Sequence, residues 1–199
     1  RAQRAGLNLR GLMGLAGLGA VGIWLADPAI FVLAAVGCAL AWQCYRERRG
    51  MFPLVVLTGV IWLASFAGSY VVRLSHVGSD ATLQNYWQDY FVPLPPLSFR
   101  QLRLIGDLLG SGFNFAFPPF PNFAELAVAL GLLSASAQRR VWLLGAPILF
   151  GLIASSLHQY PFYQRFILFS IPALVILAAM GVESIGKAMA SQRAKVAFA

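Results

Sequence analysis

The sequence predicts an all-α, polytopic membrane protein with about six transmembrane helices and short interfacial helices in one long outer loop. Of the 199 residues, 59% are hydrophobic and only 11% are charged, whereas soluble domains average about 45–50% apolar and about 25% charged residues. The mean hydropathy is +0.71. The basic residues stand in short clusters between apolar stretches. This composition excludes a soluble enzyme, a disordered tail and a disulfide-framed secreted domain.

The net charge of +8 does not indicate nucleic-acid binding, because that function needs basic residues gathered on one aqueous face. Cys38 and Cys44 stand in one apolar segment, on different faces of a helix and too far apart for a disulfide. No grouping of His, Cys, Asp and Glu has metal-ligand spacing. We therefore expect no nucleic-acid partner, no metal and no cofactor.

Six stretches approach the ~20 residues that a membrane helix needs. In chain order they are 9–26, 29–45, 52–73, 122–137, 141–157 and 166–186. Asp27-Pro28 turns the chain between the first two spans. The fourth and fifth spans are joined by Gln138-Arg139-Arg140 alone, which predicts a tight helical hairpin.

The basic residues predict the orientation of these spans. With the N-terminus in the cytoplasm, the inside holds eleven of the 15 basic residues: Arg1, Arg4, Arg10, Arg46, Arg48, Arg49, Arg139, Arg140, Lys187, Arg193 and Lys195. The outside keeps Arg73, Arg100, Arg103 and Arg165. Since cytoplasmic segments are enriched in Lys and Arg, both termini are predicted in the cytoplasm. Residues 1–199 are expected to form a single transmembrane domain, and the start at Arg1 without an initiator Met predicts processing or a longer polypeptide.

Residues 74–121 form the one predicted outer segment long enough to carry chemistry. Ser79 or Asp80 is a candidate N-cap for a short helix over 80–89. The segment Pro93-Leu-Pro95-Pro96 then predicts an extended turn, because each proline restricts φ and disfavours helix in the residue before it.

Ser98 predicts the N-cap of a second short helix over about 99–110, ended by Gly110-Ser-Gly112. Helical spacing of its apolar and polar residues predicts that this helix lies flat in the membrane interface. The apolar set is Phe99, Leu102, Ile105, Leu108 and Leu109, and the polar set is Arg100, Arg103 and Asp107. The aromatic and proline residues of 113–123 are typical of an interfacial belt.

The second predicted outer loop, 158–165, is short and polar. Arg165 stands at the N-terminal end of the sixth span, where the helix dipole disfavours a cation. It also lies on the predicted outer side of the membrane, where the positive-inside rule expects few basic residues. Two interpretations stay open: Arg165 reaches to outer-leaflet phosphates, or it binds a substrate.

Two stretches, YWQDYFVPLPP (86–96) and YPFYQRFILFSIPALVILAAMGVE (160–183), resemble bacterial membrane proteins of the GT-C glycosyltransferase superfamily, near the dolichyl-phosphate-mannose-protein mannosyltransferase type. The resemblance covers about residues 52–186, the C-terminal half of such a protein. It implies a bacterial inner membrane and transfer of a sugar from a polyprenyl-phosphate donor on the outer face. In that family the catalytic carboxylate lies in the first outer loop, often as an acidic pair. Here that loop is only Asp27-Pro28, so we expect donor binding without the catalytic acidic loop.

No catalytic residue is therefore assigned, and enzyme activity of the chain by itself stays open. The candidate substrate-binding residues are Arg165, Tyr160, Tyr163, His158, Trp87, Asp89 and Arg73. Arginines would hold the donor phosphate, with Arg100 and Arg103 as further partners. Asp89 is the best lone carboxylate, and Trp87 would stack on a sugar ring. Asp80 and His76 are weaker candidates. The alternative is a non-catalytic accessory subunit of a larger respiratory or photosynthetic membrane complex. A transporter is disfavoured, because the spans lack buried ionisable residues.

Overall fold

The computed structural model describes residues 8–74, 81–135 and 141–197. Within these residues the chain is helical and contains no strand. The α-helices are α1 (Leu9–Leu25), α2 (Ala29–Glu47), α3 (Phe52–Ser69), α4 (Ala81–Trp87), α5 (Phe99–Ala116), α6 (Pro121–Ala135), α7 (Val141–Ser156) and α8 (Ile171–Ala197). Short 3₁₀ segments cover Arg49–Met51, Gln88–Tyr90 and Gln164–Ser170, and a π-helical turn covers Tyr70–Leu74. The chain divides into two compact units, Arg1–Tyr86 and Trp87–Ala199.

The predicted all-α class is confirmed, and each of the six predicted apolar stretches is helical over most of its length. Within the described residues, the helical stretches long and apolar enough to cross a membrane are Ala29–Glu47, Arg49–Arg73 and Ile167–Ala190. Phe99–Ala116 and Pro121–Ser134 add a fourth if this pair, bent by 106°, counts as one span. By length and composition these helices indicate a membrane protein. The predicted cap at Ser79 or Asp80, His76 and the hairpin turn at 138–140 lie outside the described residues.

Trp62 holds the first unit together. Its side chain is 3% exposed, and its indole N–H donates to the carbonyl of Ala16 at 3.2 Å. A Cβ atom on Gly19 would lie 2.2 Å from Trp62 Nε1, so only glycine leaves α1 close enough to α3 for this hydrogen bond. One turn further, Ser65 donates to the carbonyl of Ala20 at 2.9 Å. The two bonds set the register of α3 along α1.

A small apolar core closes one end of the first unit. Leu12 near the start of α1, Cys44 near the end of α2 and Val55 near the start of α3 are all buried and pack together. The N-terminus of α1, the C-terminus of α2 and the N-terminus of α3 therefore share one end of this unit. Cys38 is exposed and Cys44 is buried, so the two cysteines do lie on different faces of α2.

In the second unit, the backbones of α6 and α8 approach each other through two glycines. A Cβ atom on Gly131 would lie 1.9 Å from the carbonyl oxygen of Leu177, and one on Gly181 would lie 1.8 Å from that of Ala127. Small residues at such crossings let the backbones of membrane helices pack closely. Val128, Leu174 and Leu177 form the buried core beside this crossing.

The helix predicted to end at Gly110-Ser-Gly112 continues instead to Ala116. Ser111 donates to the carbonyl of Leu108 at 2.8 Å, and Asn114 donates to that of Gly110 at 3.0 Å, so both polar side chains bond within the helix. Gly112 serves packing, because a Cβ atom there would lie 2.5 Å from Ile167 Cδ1. The predicted cap is confirmed, since the Ser98 hydroxyl accepts from the Gln101 N–H at 3.3 Å.

Replacing Gly131 by Ala should destabilise the chain by about 1–3 kcal/mol, the usual effect of overpacking a closely packed contact. The matched control is Gly186→Ala in α8, where an added Cβ meets nothing within 4 Å and Ala is favoured over Gly by about 1 kcal/mol. Thermal unfolding of the full chain in detergent measures both. Equal stability of the two variants would contradict the close crossing of α6 and α8.

Candidate functional site

A polar cleft opens beside the N-terminal half of α5 in the second unit. Its volume is about 720 Å³, and its lining consists of Asp89, Ser98, Arg100, Gln101, Arg103, Leu104 and Asp107. We call this set the polar cleft. It brings Asp89, from the 3₁₀ turn Gln88–Tyr90, next to charged residues of a helix that begins ten positions after Asp89.

The sequence of α5 explains why its charges face one cleft. Arg100, Arg103 and Asp107 follow one another at spacings of three and four, so they share one face of the helix. A reciprocal pair of bonds fixes the start of the helix: Ser98 caps Gln101 N, and the Gln101 side chain accepts from the Leu97 N–H at 2.7 Å. The polar face is therefore held in place where the chain enters the helix.

The remaining surface of α5 is the apolar stripe that the sequence predicted, and it has a buried part and an exposed part. Leu104, Ile105 and Leu108 pack within the unit against the buried cluster of Val92, Phe162 and Ile167. Phe99 and Leu102 are instead 82% and 55% exposed. Part of the predicted stripe therefore belongs to the protein core.

The polar cleft combines two guanidinium groups, of Arg100 and Arg103, with two carboxylates, of Asp89 and Asp107. Arg100 and Arg103 lie in the first two turns of α5, where the unpaired backbone N–H groups already carry partial positive charge. Within the described part of the chain, ion pairs join Arg73 to Asp27 and Lys187 to Glu183, and Arg100 and Arg103 form none. Guanidinium groups bind phosphate oxygens in bidentate geometry. The carboxylates of Asp89 and Asp107 can accept hydrogen bonds from hydroxyl groups.

Asp89 is positioned by the aromatic junction, the contact of Trp87, Tyr90, Phe91, His158 and Tyr163. The Tyr90 carbonyl accepts from the Phe162 N–H at 2.9 Å. The centre of the Tyr90 ring lies 4.3 Å from the centre of the Tyr163 ring and 5.6 Å from that of the Trp87 ring. The stretches 86–96 and 160–183, which carry the family resemblance, thus pack together at their polar ends.

A helix cap explains the position of His158. The residue has φ 58°, and its N–H donates to the Ser155 carbonyl while the Gln159 N–H donates to the Ala154 carbonyl. This is a Schellman cap, in which glycine usually takes the left-handed position. The His158 ring also lies 4.8 Å from the Phe91 ring, so the cap turns His158 into the aromatic junction. Tyr160 contacts Phe169 edge-on at 6.4 Å.

The predicted arginines have different positions. Arg165 lies in the segment Gln164–Ser170, and its side chain is outside the part of the chain that the structure describes. Arg73 belongs to the first unit, in the π-helical turn Tyr70–Leu74. It pairs with Asp27 and donates to the Trp24 carbonyl at 2.9 Å and the Ser69 hydroxyl at 2.8 Å. Arg73 therefore caps the C-terminus of α1.

Asp107 was absent from the sequence-based candidates, and Arg100 and Arg103 were only secondary ones. Two arginines at the N-terminal end of a helix, against the preference of the helix dipole, were the signal that could have singled them out. Among the described residues, no group of three or more His, Cys, Asp and Glu is placed to hold a metal ion.

Comparison with known proteins finds no matching family model, curated protein or solved structure. The chemistry of the polar cleft and the packing of the aromatic junction are therefore what supports a function. Both features lie in the second unit, Trp87–Ala199.

Replacing Ser155 by Ala should destabilise the aromatic junction. The Ser155 hydroxyl accepts from the Val92 N–H at 3.0 Å, and Ser155 and Val92 are 0% and 2% exposed. An unsatisfied buried donor costs about 1–3 kcal/mol. Thermal unfolding should show this loss for Ser155→Ala and almost none for Ser156→Ala, whose hydroxyl bonds to the Ile153 carbonyl in an exposed position. Equal melting temperatures would contradict the Val92 contact.

Replacing Arg73 by Gln should lower the melting temperature, because the carbonyls of α1 and the Asp27 carboxylate lose a donor. We expect about 1–2 kcal/mol, since the Arg73 side chain is 39% exposed and solvent weakens such pairs. Arg10→Gln, at the other end of α1, is the control and should change stability little. A melting temperature unchanged by Arg73→Gln would show that these bonds do not contribute.

Proposed function

We propose that the chain is the donor-binding membrane region of a lipid-linked-sugar glycosyltransferase-like protein, without the catalytic acidic loop. The observation that carries the proposal is the polar cleft, where Arg100 and Arg103 meet Asp89 and Asp107. In this proposal the phosphate of a polyprenyl-phosphate sugar binds the two guanidinium groups. The sugar hydroxyls bind the carboxylates.

The size and position of the cleft fit this ligand class. A volume of about 720 Å³ lies within the roughly 300–1,000 Å³ typical of small-molecule sites. Phe99 and Leu102 project from the same helix and are exposed, so the polyprenyl chain would lie along an apolar surface while its phosphate enters the cleft. Trp87, two positions before Asp89, supplies an aromatic surface of the kind that stacks on sugar rings.

The proposed setting is a bacterial inner membrane, crossed six times with both termini in the cytoplasm. In the first unit, the end closed by Leu12, Cys44 and Val55 carries the basic residues Arg10, Arg46, Arg48 and Arg49, with Glu47 as the acidic one. At the opposite end of that unit, Arg73 is neutralised by Asp27. This asymmetry supports placing the basic end in the cytoplasm.

The alternative is a non-catalytic accessory subunit of a larger membrane complex, either respiratory or photosynthetic. The exposed apolar residues of the connection between the third and fourth predicted spans favour it. Leu97, Phe99 and Phe120 are 84%, 82% and 71% exposed, and a neighbouring protein would cover them as readily as lipid would.

Titration of the purified full chain with a short polyprenyl monophosphate tests the proposal. The double variant Arg100→Gln, Arg103→Gln should weaken polyprenyl-phosphate binding at least about tenfold. Each hydrogen bond to a charged group contributes about 1.5–3 kcal/mol of binding free energy, which the variant loses. Binding of the corresponding polyprenyl alcohol should not change. Arg46→Gln, Arg49→Gln is the matched control, since it removes the same charge from the first unit.

Two results would contradict donor binding in the cleft: equal affinity of the wild-type chain for phosphate and alcohol, or equal weakening by both double variants. Binding should be accompanied by no sugar transfer from a polyprenyl-phosphate sugar. Turnover by the chain alone would overturn the assignment of a non-catalytic region and exclude the accessory-subunit alternative.

A further inference from the structure

Two arginines stack on two aromatic rings at the end of α2. The Arg46 guanidinium carbon lies 5.7 Å from the centre of the Trp42 ring, and that of Arg49 lies 5.5 Å from the centre of the Tyr45 ring. We call these four residues the collar. Both distances fall within the ~6 Å that characterises a cation–π contact, so each cation is held over an aromatic face.

Helical spacing places three of the collar residues on one side of α2, and the fourth follows in the 3₁₀ segment Arg49–Met51. Tyr45 and Arg46 stand three and four positions after Trp42, which makes both of them neighbours of Trp42 on the helix surface. Cys44, two positions after Trp42, is about 200° further round the helix and is buried against Leu12 and Val55. Trp42 and Arg46 therefore lie on the side of α2 away from this buried cluster.

The collar side chains are accessible. Trp42 is 60% exposed and Tyr45 is 55% exposed. The centres of the Tyr45 and Phe52 rings lie 6.0 Å apart in an edge-to-face contact at the start of α3. Within the described part of the chain, neither Arg46 nor Arg49 forms an ion pair. The Glu47 carboxylate accepts instead from the Gln43 side chain at 3.3 Å, one turn back along α2.

These features match the chemistry of a lipid headgroup. Ala29–Glu47 is long and apolar enough to cross a membrane, so the collar lies where such a helix leaves the hydrocarbon region. Trp and Tyr rings favour that depth, and basic residues directly beyond a membrane helix attract anionic lipids. Guanidinium groups suit the oxygens of a phosphodiester, and Arg46 and Arg49 stand three positions apart at this end of the helix.

We propose that the collar is a binding site for an anionic phospholipid, with the phosphodiester between Arg46 and Arg49 and the acyl chains along α2. The aromatic rings keep the guanidinium groups in the plane of the headgroups. The site belongs to the first unit and does not depend on the function proposed for the polar cleft.

The test is native mass spectrometry of the full chain in detergent, titrated with short-chain phosphatidylglycerol and, separately, with phosphatidylcholine of the same chain length. The wild-type chain should bind phosphatidylglycerol more tightly. Arg46→Gln, Arg49→Gln should weaken that binding about twentyfold, from about 1 kcal/mol, or roughly fivefold, per basic residue near an anionic lipid. Arg100→Gln, Arg103→Gln removes the same charge from the second unit and should weaken phosphatidylglycerol binding far less.

A second variant separates a built site from net charge. Trp42→Leu, Tyr45→Leu keeps both arginines and replaces only exposed rings, so the fold should persist and a thermal melt checks it. Loss of two exposed cation–π contacts, each about 0.5–1 kcal/mol, should weaken phosphatidylglycerol binding roughly five- to thirtyfold.

Three results would each overturn the proposal. They are equal wild-type affinity for the two lipids, equal weakening by the two arginine double variants, and unchanged phosphatidylglycerol affinity in Trp42→Leu, Tyr45→Leu.

Discussion

Hydrogen bonding without water is the constraint on which the rest of this structure depends. An apolar environment offers no partner to a polar group, so each must be satisfied within the chain. In the first unit, the indole of Trp62 and the hydroxyl of Ser65 both donate to carbonyls of α1. The same bonds set the register between α1 and α3. Among the described residues, no buried side-chain nitrogen or oxygen lacks a partner.

Arginines near helix ends meet the same constraint, and each group of them has a different role. Arg73 satisfies carbonyls at the end of α1 and neutralises Asp27. Arg46 and Arg49 lie over aromatic rings at the end of α2. Arg100 and Arg103 line a cleft with carboxylates. Environment, and not residue type, separates a structural arginine from one available to a ligand.

Local sequence signals predicted the elements well, because they act within one turn of a helix. The Ser98 cap and the apolar periodicity placed α5 correctly at its start. Its end was predicted too early, because Gly110-Ser-Gly112 ends a helix only where Ser111 and Gly112 make no contacts that favour the helical conformation. Here Ser111 bonds back to Leu108 and Gly112 lies against Ile167. Packing from a distant segment therefore overrode a local preference.

The candidate site likewise combines residues that the sequence predicted with contacts that it did not predict. Asp89, Trp87, Tyr163 and His158 were recognisable from the sequence as unusual polar and aromatic residues near apolar spans, but nothing local joined them. Contacts between residues 63 to 73 positions apart, such as Val92 with Ser155 and Tyr90 with Tyr163, brought them together.

The sequence by itself determined that the chain forms apolar helices, where they begin, and that its charges stand between them, because hydropathy, caps and helix periodicity depend on neighbours in the chain. Only the tertiary structure decided which charges meet. It placed Asp89 beside Arg100, Arg103 and Asp107 and assigned Arg73 to the cap of α1. Those outcomes depend on which helix faces pack together, and that choice is made by shape, such as the close contact at Gly131 and Gly181, which no local pattern encodes.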